Sequence, residues 1–337
     1  MSDPQRAVRL AHGAGGPAMR GLIEDVLLHG VTDPEALAMD DGAALPLGDR
    51  WLVLTTDAYV VKPLFFPGGD IGRLAIAGTV NDLAMMGATE VVGLTCAVVL
   101  EEGLPIETLE RVVASLRATA AEAGVRVVTG DTKVMARGEI DGLVLTTAGV
   151  AIADRVVRSA SVRVGDALVV TGTIGDHGLA VLGARHALGL DGDLFSDVAP
   201  LGGLVRAARA AGGDDVHALK DPTRGGVIAA LSELAHRSGV GMVIDEARLP
   251  MSDAARAAAE VLGVDPLAVA NEGKALIAVA PGALERVLAA LRAHPLGRRA
   301  AHIGQAVAAH PGEVLLDTGF GTRRLRERDA DPLPRIC

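Results

Sequence analysis

The chain has 337 residues, 50% hydrophobic and 22% charged, with a formal net charge of −10. That composition excludes a disordered polymer, and the acidic balance excludes a general nucleic-acid or anionic-membrane surface, which needs a basic face. No apolar run reaches the roughly 18 residues of a spanning helix, and the first residues form no signal-peptide block, so a cytoplasmic protein is expected.

One Trp, one Tyr and four Phe leave the core to Ala, Val, Leu and Ile, while 42 glycines point to many tight, backbone-lined turns. In chain order, "HGAGG" (12–16) comes first, a glycine cluster able to wrap backbone N–H groups around an anion. "AALPLGDRWLVLTTDAYV" (43–60) predicts a hairpin turning at Gly48-Asp49. "PLFFPGGD" breaks the chain, and Asp70 is placed to cap a helix over 71–86. Strand "EVVGLTCAVVL" contains Cys96, which reads as a small core residue. Leu109, Val112, Val113, Leu116, Ala120 and Ala123 then recur at helical spacing up to Gly124. "VRVVTGD" and "GLVLTTAGVAIA" add two more strands.

The pattern restarts near Asp154, which divides the chain into domains at 1–153 and 154–322. The second half predicts helices near 178–188, 201–212, 226–238, 251–262 and 282–293, with strands near 167–171, 241–245 and 275–280. From about Arg323 the sequence "RRLRERDADPLPRIC" carries too little apolar surface to fold alone and reads as a flexible arm, 323–337, ending on Cys337. The expected fold is α/β with mixed sheets: two domains and a tail.

Chemistry gathers where carboxylates stand against apolar strands and helices. Asp40 and Asp41 precede the hairpin, Asp57 ends its second strand and Asp131 follows "VRVVTG". Asp82 shares an apolar helical stripe with Ile71, Ala75, Gly78 and Met85. A carboxylate there is costly unless paired or holding a metal. Two readings stay open: an ion pair with Lys62, Arg73 or Lys133, or a shared carboxylate cluster holding Mg²⁺ against a polyphosphate. There is neither a Walker-type loop nor a dinucleotide fingerprint. "GDTKV" places Lys133 beside Asp131; "DPTRGG" places Arg224 at a helix start suited to an anion; "NEGK" places Glu272 between a helix and a strand. "GDHG" places His177 at a helix start, where capping explains it equally well.

In this order, "HGAGG", "DDGAA", "TTDAYVVKPLFFPGGDIG", "AGTVNDLAMMGA", "GDTKV", "GDHG", "DPTRGG", "NEG" and the closing "PRIC" resemble the HypE family of hydrogenase maturation factors. That family belongs to the aminoimidazole ribonucleotide synthetase-like (PurM-like) superfamily, and the resemblance runs over essentially the whole chain. It implies an ATP-dependent dehydratase acting on a carbamoyl group that the partner HypF loads onto the terminal cysteine, Cys337. The product thiocyanate passes cyanide to iron on a HypC–HypD scaffold for the [NiFe] site. It further implies ATP and Mg²⁺ as cofactors and a homodimer formed through the first domain's sheets. The residues implied for nucleotide are His12, Gly13, Gly15, Gly16, Asp41, Asp57, Asn81, Asp82 and Asp131, with Asp41, Asp82 and Asp131 on metal. Lys133 and Glu272 are implied as proton-moving groups and Arg224 as an anion partner. The competing readings are another ATP user of the superfamily, a small-molecule kinase or selenophosphate synthetase, and a non-catalytic adaptor docking through its tail.

Overall fold

The computed structural model describes residues 7–13, 15–187, 194–327 and 336–337. Short helices α1 (Pro17–Leu22) and α2 (Pro34–Ala38) open it, with a π-helical turn over Ile23–Leu27 between them. None of the three is among the predicted elements. α2 is capped by Asp33, whose carboxylate accepts from the Glu35 and Ala36 N–H groups.

β1 (Ala43–Leu47) and β2 (Arg50–Tyr59) form the predicted hairpin, with Leu47 opposite Arg50 across Gly48-Asp49. A small pair, β3 (Phe65–Phe66) and β4 (Gly69–Asp70), leads into α3 (Ile71–Met85), where the Asp70 carboxylate accepts from the Gly72 and Arg73 N–H groups. β5 (Glu90–Glu101), α4 (Ile106–Ala123), β6 (Val127–Met135) and β7 (Leu143–Ala153) follow. The first sheet runs β1-β2-β7-β5-β6, antiparallel throughout except for the β5–β6 pair. β7 alternates buried and half-buried positions along its whole length, the period-two signature of a sheet with one covered face. α3 lies against β2 and β7 and also touches α4, so nearly all of its residues are buried, Arg73 and Asp82 being the exceptions.

The second half contributes β8 (Ala167–Val170), α5 (Asp176–Arg185), α6 (Gly202–Gly212), β9 (Val216–Lys220), α7 (Gly226–Ser238) and β10 (Gly241–Asp245). Next come α8 (Asp253–Leu262), β11 (Leu276–Val279), α9 (Leu284–Ala293), β12 (Ala301–Val307), β13 (Val314–Asp317) and β14 (Thr322–Leu325). They build a seven-stranded sheet of order β14-β13-β10-β12-β8-β11-β9. β8 and β11 are buried at every position, which is why they read as continuous apolar runs. β9 and β12 to β14 are absent from the predicted elements, because short strands such as "VHALK" mix polar and apolar residues without a clean alternation.

The predicted arm begins too early. Residues 323–325 belong to β14, paired with β13; Leu325 is buried and Arg324 forms a 2.9 Å ion pair with Glu313. The charged run is therefore an edge strand with solvated arginines. Residues 328–335, the rest of the arm up to Ile336 and including Pro332, Pro334 and Arg335, lie outside the described residues.

Two apolar clusters cross between the halves, one of them packing Ala84 and Met85 with Leu201, Leu204 and Val205. The other joins Tyr59, Phe66, Ile71 and Leu74 from the first to Leu179, Val181, Ala255 and Val269 from the second, and Ile336 belongs to it. The crease beside this cluster holds the site.

Candidate active site

A cavity of about 580 Å³ opens between the first sheet, the β9–α7 turn and the N-terminal segment, within the usual range of small-molecule sites. One wall is acidic. Asp41 comes from the turn before β1, Asp82 from α3 and Asp221 from the residue after β9, and their carboxylate oxygens lie within 4.8 Å of one another. Thr55 Oγ1 on β2 stands 3.0 Å from Asp82 Oδ2 and 2.9 Å from the Asp41 carbonyl, tying two of the three together. Asp57, two residues further along β2, lines the same wall.

The charges are badly matched without an added cation. Burial, then the Asp221, Asp41 and Asp57 charges, push the Asp82 carboxyl well above the ordinary range. Burial and Asp41 bring Asp221 up to about 7, and burial also raises Asp41. Lys220 answers part of this. It is hydrogen-bonded to Asp41 and lies 3.4 Å from Glu233. Burial opposes its charge, but Asp41, Glu233 and Asp221 outweigh that and hold its pKa above that of an ordinary lysine. Three clustered carboxylates facing one lysine suit a hard divalent cation with oxygen ligands.

The end of the chain forms part of the cavity wall. Cys337 lines it, its terminal oxygen accepts from the Val60 N–H at 3.1 Å, and its charge is the largest influence holding up the Arg224 pKa. Ile336 is 2% exposed, and His177 Nε2 donates to its carbonyl at 2.9 Å. Glu272 lines the cavity from the loop before β11; it is 3% exposed, and its Oε1 has no hydrogen-bond partner among the described residues. Burial, then the Asp221, Asp57 and Asp197 charges, raise its carboxyl well above the usual range, against Arg224.

The rest of the lining is mixed, with Met19, Ile23, Leu37 and Met39 from the N-terminal segment and Ala229, Ala230 and Arg237 from α7. Gly15 and Gly16 also line the cavity, and Gly15 has φ +77° with the space for a Cβ only 2.7 Å from the Arg224 carbonyl. Only glycine lets this segment lie so close over the arginine loop.

The sequence matches the family description "AIR synthase related protein", its N-terminal domain over residues 39–153 and its C-terminal domain over 163–317. It is 47% identical to the carbamoyl dehydratase HypE of Rhizobium leguminosarum bv. viciae over 333 residues, covering 98% of this chain and 95% of that one. The chain belongs to the HypE family of carbamoyl dehydratases. A HypE structure in complex with ATP superposes with a TM-score of 0.82 at 41% identity, covering 98% of this chain and 100% of that one. HypE in a HypE–HypF complex gives 0.86, again at 41% identity, over 91% and 99% of the two chains.

For a HypE-family chain, the structure gathers only part of the expected set. Asp41, Asp57, Asp82, Gly15, Gly16, Arg224, Glu272 and Cys337 all line the cavity. Asn81 does not. Its side chain is a buried clamp: Nδ2 donates to the Ala199 and Glu272 carbonyls at 3.1 Å each, and Oδ1 accepts from the Leu201 N–H at 2.7 Å. Helical periodicity explains this, since residues 81 and 82 point about 100° apart. Asp131 and Lys133 pair with each other at 2.7 Å on the exposed strand β6, away from the cavity of their own chain, and the third carboxylate clustered with Asp41 and Asp82 is Asp221. His12 and Gly13 stand outside the lining, with His12 Nδ1 accepting from the Arg9 N–H. Ala14 lies outside the described residues. Lys220 and Asp221 were missed; their signal was an acidic residue following a short strand and opening the glycine-rich turn "DPTRGG".

Proposed function

We propose that this protein uses ATP to dehydrate a carbamoyl group carried on Cys337 Sγ, giving a thiocyanate. The observation that carries this reading is the position of Cys337 in the wall of the cavity that also holds the carboxylate cluster, Arg224 and Glu272. An adaptor tail has no need to end inside a nucleotide-sized cavity.

The carbamoyl oxygen is a poor leaving group, and ATP supplies the phosphoryl group that converts it into phosphate. A bond forms from carbamoyl oxygen to phosphorus as ADP leaves. The carbon–oxygen bond then breaks, phosphate departs with the electron pair, and loss of both nitrogen protons completes S–C≡N. The chain's own part is alignment and proton transfer. Glu272, buried and held above the usual carboxylate range, is when ionised a strong enough base to take a proton from nitrogen. Arg224 and Cys337 line the same cavity, and the Cys337 charge raises the Arg224 pKa, so Arg224 attracts the chain end electrostatically. Asp41, Asp82 and Asp221 are the residues that would hold Mg²⁺, which would neutralise phosphate charge.

The chain works as a homodimer in this reading. β6 is an edge strand exposed along nearly its whole length, with Val128 and Val134 outward, and an unpaired apolar edge calls for a cover. We assign Asp131 and Lys133 on that strand to the cavity of the neighbouring copy. HypF is the proposed carbamoyl donor, in keeping with the relative's HypF complex, and a HypC–HypD scaffold the proposed cyanide acceptor. Mass spectrometry of the carbamoyl-loaded tail tests the reaction: Mg·ATP removes one water from the Cys337 peptide, and an unchanged mass with ATP bound refutes it.

A further inference from the structure

The last two residues are held as a ligand would be. The Ile336 side chain sits in the apolar cluster with Val61, Phe66, Leu179, Val269 and Ala270. Its floor is Gly178, where an added Cβ would stand 3.2 Å from Ile336 Cδ1 and 2.3 Å from Val269 Cγ1. No larger residue fits there.

The backbone of the dipeptide is read as well. The Val60 N–H donates to the Cys337 oxygen and His177 to the Ile336 carbonyl. The His177 tautomer is dictated by the Ile336 carbonyl, which can only accept, so the proton of the neutral ring is on Nε2. Nδ1 is then an acceptor, and the Ser196 hydroxyl donates to it at 2.8 Å while accepting from the Val198 N–H at 3.1 Å. Phe66 packs edge-on against the imidazole, with ring centroids 5.4 Å apart.

The same strap governs Glu272. Asp197 Oδ1 accepts from the Glu272 N–H at 3.0 Å, one residue from Ser196, and Asn81 links the Glu272 and Ala199 carbonyls. Residues 196–199 therefore set both the donor that grips the chain end and the backbone that carries the proton-moving carboxyl.

We infer that His177, Gly178 and Val269 form a socket for residue 336, in which His177 is a positioning residue that fixes how deep the chain end enters and so where Cys337 Sγ stands relative to Glu272. The socket selects an aliphatic side chain at position 336, since a charged or amide group there would lie buried without a partner. This rests on the proposed dehydration only for what the seated thiol then undergoes.

The test uses the full-length, uncarbamoylated protein and a maleimide carrying a polyethylene glycol chain too bulky for the cavity. Labelling of Cys337 then reports how often the chain end leaves its socket. Cys96, 7% exposed, stays unlabelled in any folded variant and exposes misfolding. His177→Phe keeps the ring but donates nothing, and labelling accelerates about fivefold or more, the equivalent of one hydrogen bond. His177→Gln restores an N–H donor and returns labelling to within about threefold of wild type. Ile336→Ala, at the chain end, empties the socket and accelerates labelling at least ~30-fold. Equal labelling of His177→Phe and wild type overturns the inference, as does His177→Gln labelling as fast as His177→Phe. Single-turnover water loss with saturating Mg·ATP falls in the variants that label faster, while the KM for ATP is unchanged; water loss at the wild-type rate in His177→Phe overturns the positioning role. If the labelling pattern holds but wild type loses no water, the socket stands and the proposed dehydration fails.

Discussion

Replacing Asp221 by Asn separates stability from function. The carboxyl is brought from 3.8 to about 7, chiefly by burial and then by Asp41. Acting alone, a carboxyl so displaced destabilises the empty protein by about 4 kcal/mol at pH 8. Asp41 and Asp82 share that strain, and Lys220 loses a partner on substitution, so a net gain of about 1–2 kcal/mol is expected, with melting raised by a few degrees. Because the folded pKa lies above the unfolded one, the stabilisation that wild type draws from a protonated Asp221 is fully present below 3.8 and is lost as pH rises through about 7. The empty wild type thus gains stability as pH falls from 8 to 5, and the variant shows a flatter slope. Mg·ATP moves the other way. Saturating ligand at about 100 Kd stabilises wild type by about 2.7 kcal/mol, and the variant forfeits most of that. Thermal unfolding at pH 8 with and without Mg·ATP measures both. A variant that melts lower when empty and keeps its Mg·ATP shift refutes the assignment of Asp221 to the cation cluster.

Further substitutions probe the other parts. Glu272→Gln keeps the shape of the cavity wall but removes the base, and single-turnover water loss falls about 10²–10⁴-fold with ATP affinity retained, by mass spectrometry and calorimetry; an active variant returns the proton to another group. Gly15→Ala forces a Cβ at φ +77° against the Arg224 backbone, and ATP affinity falls about tenfold or more with little change in melting, by titration calorimetry. Asn81→Ala strips three buried hydrogen bonds and lowers stability by about 3 kcal/mol in denaturant unfolding; were Asn81 a nucleotide ligand instead, ATP affinity would collapse while stability held.

Local signals made much of this legible in the sequence. Asp70 as a cap, the Gly48-Asp49 turn and the apolar periodicity of α4 each follow from nearest neighbours, and the structure carries all three. Asp82 stood out because a carboxylate on an apolar stripe must have a partner. Its partners did not stand out: Asp221 comes to it from the far side of the chain, through a strand whose mixed sequence carries no period. Asn81 and Asp82 are adjacent in sequence and so suggest one shared site, although a helix turns them to different surroundings. Lys133 and Glu272 looked equivalent as a possible acid and base. Within one chain burial tells them apart, since Glu272 is enclosed in the cavity that Cys337 also lines and Lys133 is exposed and paired with Asp131. The seat of Ile336 depends on a buried histidine more than 150 residues away, which local pattern cannot reveal.

The central claim is that ATP activates the carbamoyl oxygen on Cys337. Protein loaded with an ¹⁸O-labelled carbamoyl group and given Mg·ATP for one turnover tests it directly, by mass spectrometry of the tail peptide and of the phosphate formed. The account predicts a thiocyanate on Cys337 and the ¹⁸O in inorganic phosphate, one label per turnover. Thiocyanate with the ¹⁸O released into water, or unlabelled phosphate beside an intact carbamoyl group, would contradict it.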